Sequence, residues 1–320
     1  MRVLNGSDVD RLLDVDALIE ALAPAMSDLS SGRVSIPPRS FAMVEDRGFL
    51  AAMPAYLETG RHLAAKLVLL FSENAAKGLP SHQALVAVFD PETGVPLAVM
   101  DGASITATRT AAGSALATKL CARPDAKTLA ILGTGAQARS HARTVVRVRP
   151  ITEVLIAGRT REHAEALAAE IGATAVDACE EAVRRADIVC SCTHASEVVV
   201  HADWVGPGTH VNAVGFTTAP ELEPALFARA ETVVVESRDA AIGEYPNGSV
   251  DITTAVKTGL LDRDRVVEVG ELVDGKRAAR TEEDQVTIYR SVGVAAQDAT
   301  AAALVLSRAG ERGIGVEVDF

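Results

Sequence analysis

The chain has no uninterrupted apolar run approaching the ~18 residues that span a bilayer. This excludes a transmembrane helix. Its first residues, MRVLNGSDVDR, lack the apolar stretch of a secretory signal, so a cytoplasmic protein is expected. Positive charge is short: 31 Lys and Arg against 43 Asp and Glu give a net charge of −12. That balance argues against nucleic acid and anionic membranes as partners. The four cysteines, Cys121, Cys179, Cys190 and Cys192, lack C-x-x-C spacing and are too few for a disulfide scaffold. They read as reduced core residues. No glycine-flanked serine sits on a sharp turn, so a Ser-His-Asp nucleophile is not expected. His194, His201 and His210 are scattered, and no His/Asp/Glu group has metal-ligand spacing. Internal repeats and low-complexity segments are absent as well.

What is present is 320 residues, 48% of them apolar, enough for about two domains. The organising stretch is 128–138, TLAILGTGAQA. An apolar run ends on Gly133; Gly135 and Ala138 complete G-x-G-x-x-A; and 139–148 contains no Gly or Pro. Strand, glycine turn and helix in that order form a dinucleotide-binding fingerprint. Gly133 permits the tight turn, Gly135 lets the backbone approach a pyrophosphate, and the free N–H groups at the helix start face the anion.

From there strand and helix patterns alternate, with strands at 128–132, 153–157, 173–176, 187–192, 208–214 and 232–236 and helices at 136–148, 161–171, 178–185 and 222–229. This predicts a doubly wound parallel sheet, the Rossmann type of α/β fold. Before it, Ser7 is positioned to cap a helix. Two hairpins are expected, one about EDRG in 33–57 and one about PETG in 82–102, with a further strand at 62–71. A long Ala-rich helix is expected over 292–312. The expected organisation is therefore an α+β domain, 1–122 plus 301–320, into which a nucleotide domain, 123–300, is inserted.

The second strand of the nucleotide domain ends in Gly158-Arg159-Thr160, with no acid at 154–160 to bind a ribose 2′-hydroxyl. A cation and a hydroxyl suit a 2′-phosphate, so NADP(H) is favoured and NAD(H) remains possible. Three cations lie in apolar or small-residue settings upstream: Arg39 after Pro37-Pro38, Lys66 inside LAAKLVLLF, and Arg109 on the small-residue face of a helix at 104–121. Together they suggest an anionic substrate. A desolvated ammonium exchanges protons readily, which makes Lys66 the first choice of proton donor for C=N or C=O reduction; His82 is the second.

These pieces resemble the ornithine cyclodeaminase/mu-crystallin family. The motifs that carry the resemblance are PPR ending at Arg39, Lys66 followed by SEN and GLPSHQ, DPETGVPLAVMDG, SITATRTAAGSA, ILGTGAQA, THVNAVG and VTIYRSVGVAAQDATAAA. The resemblance implies a homodimer whose first domain, completed by the C-terminal helix, forms the dimer interface and the substrate pocket. It places Arg39, Lys66 and Arg109 at positions facing the substrate carboxylate and the nicotinamide. Ser81, Thr110, Ala136, Gln137, Arg159, Thr160, Thr193, Val214 and Ser291 match, or fall close to, nucleotide-lining positions. One position departs: the cyclodeaminases carry an Asp after VNAVG, where this chain has Thr217. A hydroxyl cannot act as that carboxylate does toward an amine. The implied activity is NAD(P)H-dependent reduction of a small α-imino (ketimine) acid to an amino acid, with the proton from Lys66. A cyclodeaminase that recycles NAD, or a catalytically silent binder of small ligands, are the alternatives.

Overall fold

In the computed structural model residues 1–319 are described, without the side chain of Ala75. They form two compact units: Met1–Arg109 with the segment from Val294 onward, and Thr110–Gly293. Elements run in chain order as β1 (Arg2–Leu4), α1 (Gly6–Leu12), α2 (Val15–Ser30), β2 (Val34–Ser35), β3 (Ser40–Val44), β4 (Gly48–Leu57), β5 (His62–Leu70), β6 (His82–Phe89) and β7 (Pro96–Asp101). Helix α3 (Gly102–Cys121) leads into the second unit. That unit holds β8 (Thr128–Leu132), α4 (Ala136–Val145), β9 (Glu153–Ala157), α5 (Arg161–Ile171), β10 (Thr174–Ala175), α6 (Cys179–Arg185), β11 (Ile188–Ser191) and β12 (His210–Ala213). It continues with α7 (Pro224–Arg229), β13 (Ala230–Val235), α8 (Arg238–Ile242), α9 (Val250–Lys257), β14 (Val266–Glu268), α10 (Val269–Val273) and β15 (Val286–Arg290). Helix α11 (Ala295–Arg312) and β16 (Val316–Glu317) return to the first unit.

The first unit is built on one sheet, ordered β16-β1-β7-β6-β5-β4-β2 with β3 also paired to β4. It is antiparallel except for the parallel β1–β7 pair. Both expected hairpins form. In the second, the Asp90 carboxylate accepts from the Glu92 and Thr93 amides and shapes the turn between β6 and β7. Helix α11 packs across β4 and β5 and against α2. Its buried residues are mostly alanine, which brings its backbone close to the sheet.

The second unit is an all-parallel sheet ordered β10-β9-β8-β11-β12-β15-β13-β14. Strand order reverses between β8 and β11. The central strands are covered on both faces, so β8 is a continuous apolar run with Leu129, Ala130, Ile131 and Leu132 all fully buried.

Several boundaries differ from expectation, and three of them have a clear local reason. The cap of α1 is Asn5, whose Oδ1 accepts from the Asp8 amide at 3.0 Å and from Ser7 Oγ at 2.7 Å. Helix α11 starts at Ala295 and not at Val292, because the Val292 and Gly293 amides donate to the Glu236 carboxylate. The units part within α3, at Arg109/Thr110 and not at 122/123, and again at Gly293/Val294 and not at 300/301. Later residues of α3 belong to the second unit's core: Thr118 Oγ1 accepts from Asn212 Nδ2 at 3.0 Å, and Ser114 Oγ lies 2.9 Å from His141 Nε2. Among the described residues no helix is long and apolar enough to cross a membrane.

A buried ion pair closes the carboxyl end of the second sheet. Arg290 Nε lies 2.6 Å from Asp251 Oδ2, with 3% and 0% of their side chains exposed. Asp251 Oδ1 also accepts from the Glu221 and Leu222 amides at 2.8 Å. Asp251→Ala should therefore destabilise the protein by about 3–5 kcal/mol, because it strands a buried guanidinium and two amides. Denaturant unfolding measures this, and a loss under about 1 kcal/mol would contradict it.

Candidate active site

Lys66 lies in the middle of β5, paired in register with Met53 of β4 and Val86 of β6. Alternation along β5 turns Ala64 and Lys66 to the buried face. The side chain is 2% exposed. Its Nζ donates to Asp298 Oδ1 at 2.9 Å and lies 2.9 Å from Oδ2. Arg109, from the first unit's part of α3, donates through Nε to the same Asp298 Oδ1 at 2.9 Å and through Nη1 to Gln297 Oε1 at 3.1 Å. Gln297 in turn accepts from the Val294 amide at the start of α11. One carboxylate in the first turn of a helix, where the backbone dipole favours negative charge, thus holds two buried cations.

The electrostatics follow from this packing. Burial, then the positive charge of Arg109, pushes Lys66 down from the usual 10.5 to about 7; Asp298 opposes the shift and Arg39 adds to it. Burial pushes Asp298 the other way, but Arg109 and Lys66 outweigh it, so its carboxyl stays below the ordinary aspartate value. Arg39 is therefore close enough for its charge to act on the ammonium. His82 is not beside it. His82 pairs with Leu70, four residues along β5 from Lys66, or about 13 Å at the rise of a strand. Ser81, next to it, donates to the Ser72 carbonyl at 3.5 Å.

The glycine turn of the second unit has the expected geometry. Gly133 has φ +115°, and a Cβ there would lie 2.6 Å from the Cys192 carbonyl. A Cβ on Gly135 would meet nothing within 4 Å. The first glycine is required by the turn, and the second leaves open space. Gly135 also caps α4 without a side-chain hydrogen bond, so Ala136 and Gln137 begin a helix whose first amides have no side-chain acceptor. Open space beside such amides fits the pyrophosphate of a dinucleotide.

The other expected nucleotide residues take the following places. Arg159 is exposed just past β9, and Thr160 precedes α5. Thr193 follows β11, Val214 follows β12 and Ser291 follows β15. Thr110 is buried in α3 directly after Arg109. Thr217 is 7% exposed, and its hydroxyl has no hydrogen-bond partner among the described residues. Among the described residues no three His, Cys, Asp or Glu side chains gather as a metal ion would require.

The sequence profile of the ornithine cyclodeaminase/mu-crystallin family matches residues 1–313. This chain belongs to that family. Among its relatives is the ketimine reductase mu-crystallin of Mus musculus, 39% identical over 92% of this chain and 93% of that protein. The Thermococcus litoralis Δ1-pyrroline-2-carboxylate reductase, solved with NADH and L-proline, superposes with a TM-score of 0.94 at 36% identity, covering 99% of this chain and 100% of that one. An archaeal alanine dehydrogenase dimer with bound NAD superposes with a TM-score of 0.91 at 31% identity, covering 100% and 99%. Within the family fold, the residue missed by sequence reasoning is Asp298. Its signal was a Gln-Asp pair opening an otherwise Ala-rich helix.

The lowered Lys66 value has a consequence for stability. Between about pH 7 and 10.5 the unfolded chain keeps the Lys66 proton and the folded chain does not, so this group's contribution to stability rises with pH across that window. Lys66→Met removes the effect. The melting-temperature difference, variant minus wild type, should therefore fall between pH 7 and pH 10; a difference independent of pH would show that Lys66 titrates normally.

Proposed function

We propose that this chain is an NAD(P)H-dependent reductase that converts a small α-imino acid to the α-amino acid. The observation that carries the reading is the buried ammonium of Lys66, flanked by Arg109 and Arg39 and held by Asp298. Arg39 and Arg109 bind the substrate carboxylate, for which guanidinium geometry is suited. Lys66 protonates the imine nitrogen; a value of about 7 leaves it able to give up a proton at neutral pH. The reduced nucleotide, when bound, supplies the hydride that completes the C–H bond. Gly133, Gly135, Ala136, Gln137, Arg159, Thr160, Thr193, Val214 and Ser291 hold the nucleotide, together with Ser81, Arg109 and Thr110. His82 is proposed as a substrate-side residue and not as the proton donor. The activities of the mouse and Thermococcus relatives support the reaction class. The dimeric archaeal relative supports a homodimer.

We also propose NADP(H) as the preferred nucleotide. Arg159 follows β9 with no ion pair among the described residues, whereas arginines of the adjoining helices are engaged: Arg139 and Arg143 of α4 with Glu170, Arg161 of α5 with Glu165 and Asp177. An exposed guanidinium beside Thr160 suits a 2′-phosphate. Cyclodeamination is disfavoured by the buried hydroxyl of Thr217, which supplies no carboxylate for a substrate amine.

A screen of NADPH oxidation with Δ1-pyrroline-2-carboxylate, Δ1-piperideine-2-carboxylate, pyruvate plus ammonia or methylamine, and oxaloacetate plus ammonia tests the reading. Turnover is expected with at least one; none with any, or ammonia release from ornithine without added reductant, would overturn it. Lys66→Met should lower kcat by about 10²–10⁴-fold while NADPH still binds, and full turnover in that variant would remove Lys66 from the chemistry. Arg159→Ala should raise KM for NADPH about tenfold and leave that for NADH unchanged. Equal changes for both would discard the 2′-phosphate assignment.

A further inference from the structure

Glu221 is fully buried and has no part in the reaction as described above. Its Oε1 accepts from Ser191 Oγ at 2.7 Å, from Thr193 Oγ1 at 2.7 Å and from the Thr193 amide at 3.3 Å. Its Oε2 accepts from the Gly215 amide at 3.2 Å. Ser191 ends β11, and Gly215 lies just past the end of β12, its neighbour in the sheet. One carboxylate therefore ties together the carboxyl ends of two adjacent strands. The tie leaves no slack, because a Cβ on Gly215 would stand 2.5 Å from the Thr193 carbonyl and 2.7 Å from Glu221 Oε2. Glu221 is itself anchored, its amide donating to Asp251, the partner of Arg290.

The location gives the tie its meaning. In a doubly wound sheet a dinucleotide binds outside the carboxyl ends of the strands, across the point where strand order reverses. Here that point lies between β8 and β11. Gly133 closes β8 and would receive the pyrophosphate, and the Arg159-Thr160 corner past β9 would take the adenosine ribose. The other half of the nucleotide would then extend over β11 and β12, onto the loops that carry Thr193, Val214 and Gly215. Those are the loops that Glu221 holds.

We propose that Glu221 is a positioning residue for the nicotinamide half of the nucleotide, fixing the two loops on which that half rests. The inference builds on the dinucleotide reading given above. A carboxylate is the group required, since donors approach both of its oxygens and it alone accepts at each. Glutamine has the same shape but presents an NH2 group to one side, so Glu221→Gln breaks half of the tie without leaving a cavity.

The experiment measures binding to wild type and Glu221→Gln, by calorimetry, of NADPH and of 2′-phospho-ADP-ribose, which lacks the nicotinamide. NADPH binding should weaken about tenfold and kcat should fall at least as much, while the fragment binds within twofold of wild type. Equal losses for both ligands would make Glu221 a general structural residue, and no loss for either with unchanged kcat would leave it without a role; each result overturns the proposal. Ser191→Ala, which removes one donor to the same oxygen, should give the same pattern at smaller size and serves if the glutamine variant does not fold. Failure of wild type to bind either ligand would instead remove the nucleotide site, and the role of Glu221 with it.

Discussion

An ammonium in the middle of an apolar strand is the constraint on which the first unit depends. Lys66 cannot stay charged there without a partner. The structure supplies one by dividing a carboxylate. Asp298 serves Lys66 and Arg109 together, so neither cation has a counter-ion to itself. Arg39 adds a third positive charge within electrostatic range. One carboxylate thus faces two buried cations, although the chain as a whole is strongly acidic.

The second unit uses buried charge differently. Its carboxylates face backbone amides and hydroxyls more than side-chain cations. Glu221 gathers Thr193 and Gly215, and Glu236 gathers Ser291, Val292 and Gly293. Arg290 spans the same region through the carbonyls of Ala213 and Gly215. Loops at the carboxyl ends of parallel strands have no ladder partners of their own, so such acceptors and donors take the place of the sheet's regular hydrogen bonds.

Much of this was legible in the sequence, and the limits have physical causes. The β8–α4 turn could be read because its requirements are local: a positive φ at Gly133 and open space at Gly135 demand glycine wherever that turn occurs. The parallel strands could be read because burial on both faces leaves continuous apolar runs. Lys66 and Arg109 drew notice as cations in surroundings that disfavour them. Asp298 did not, because an acid in the first turn of a helix is ordinary until something is known to lie against it. Glu221 and Glu236 were invisible for the same reason, their partners lying 6 to 57 residues away along the chain. Beyond Thr110, Ser114 and Thr118 of α3 pack into the second unit through His141 and Asn212, partners that lie far along the chain.

The pairing of Lys66 with Asp298 joins residues 232 positions apart, and the whole nucleotide-binding unit lies between them. Chains emerge from the ribosome in order, and domains fold largely as they become complete. The second unit is one continuous stretch, Thr110–Gly293, that emerges before α11. The sheet that carries Lys66 emerges first but waits longest, since α11 brings both its covering face and the counter-charge for its ammonium. The order of synthesis is thus the sheet without its covering helix, then the parallel-sheet unit, and only then the carboxylate that pairs with Lys66 and Arg109.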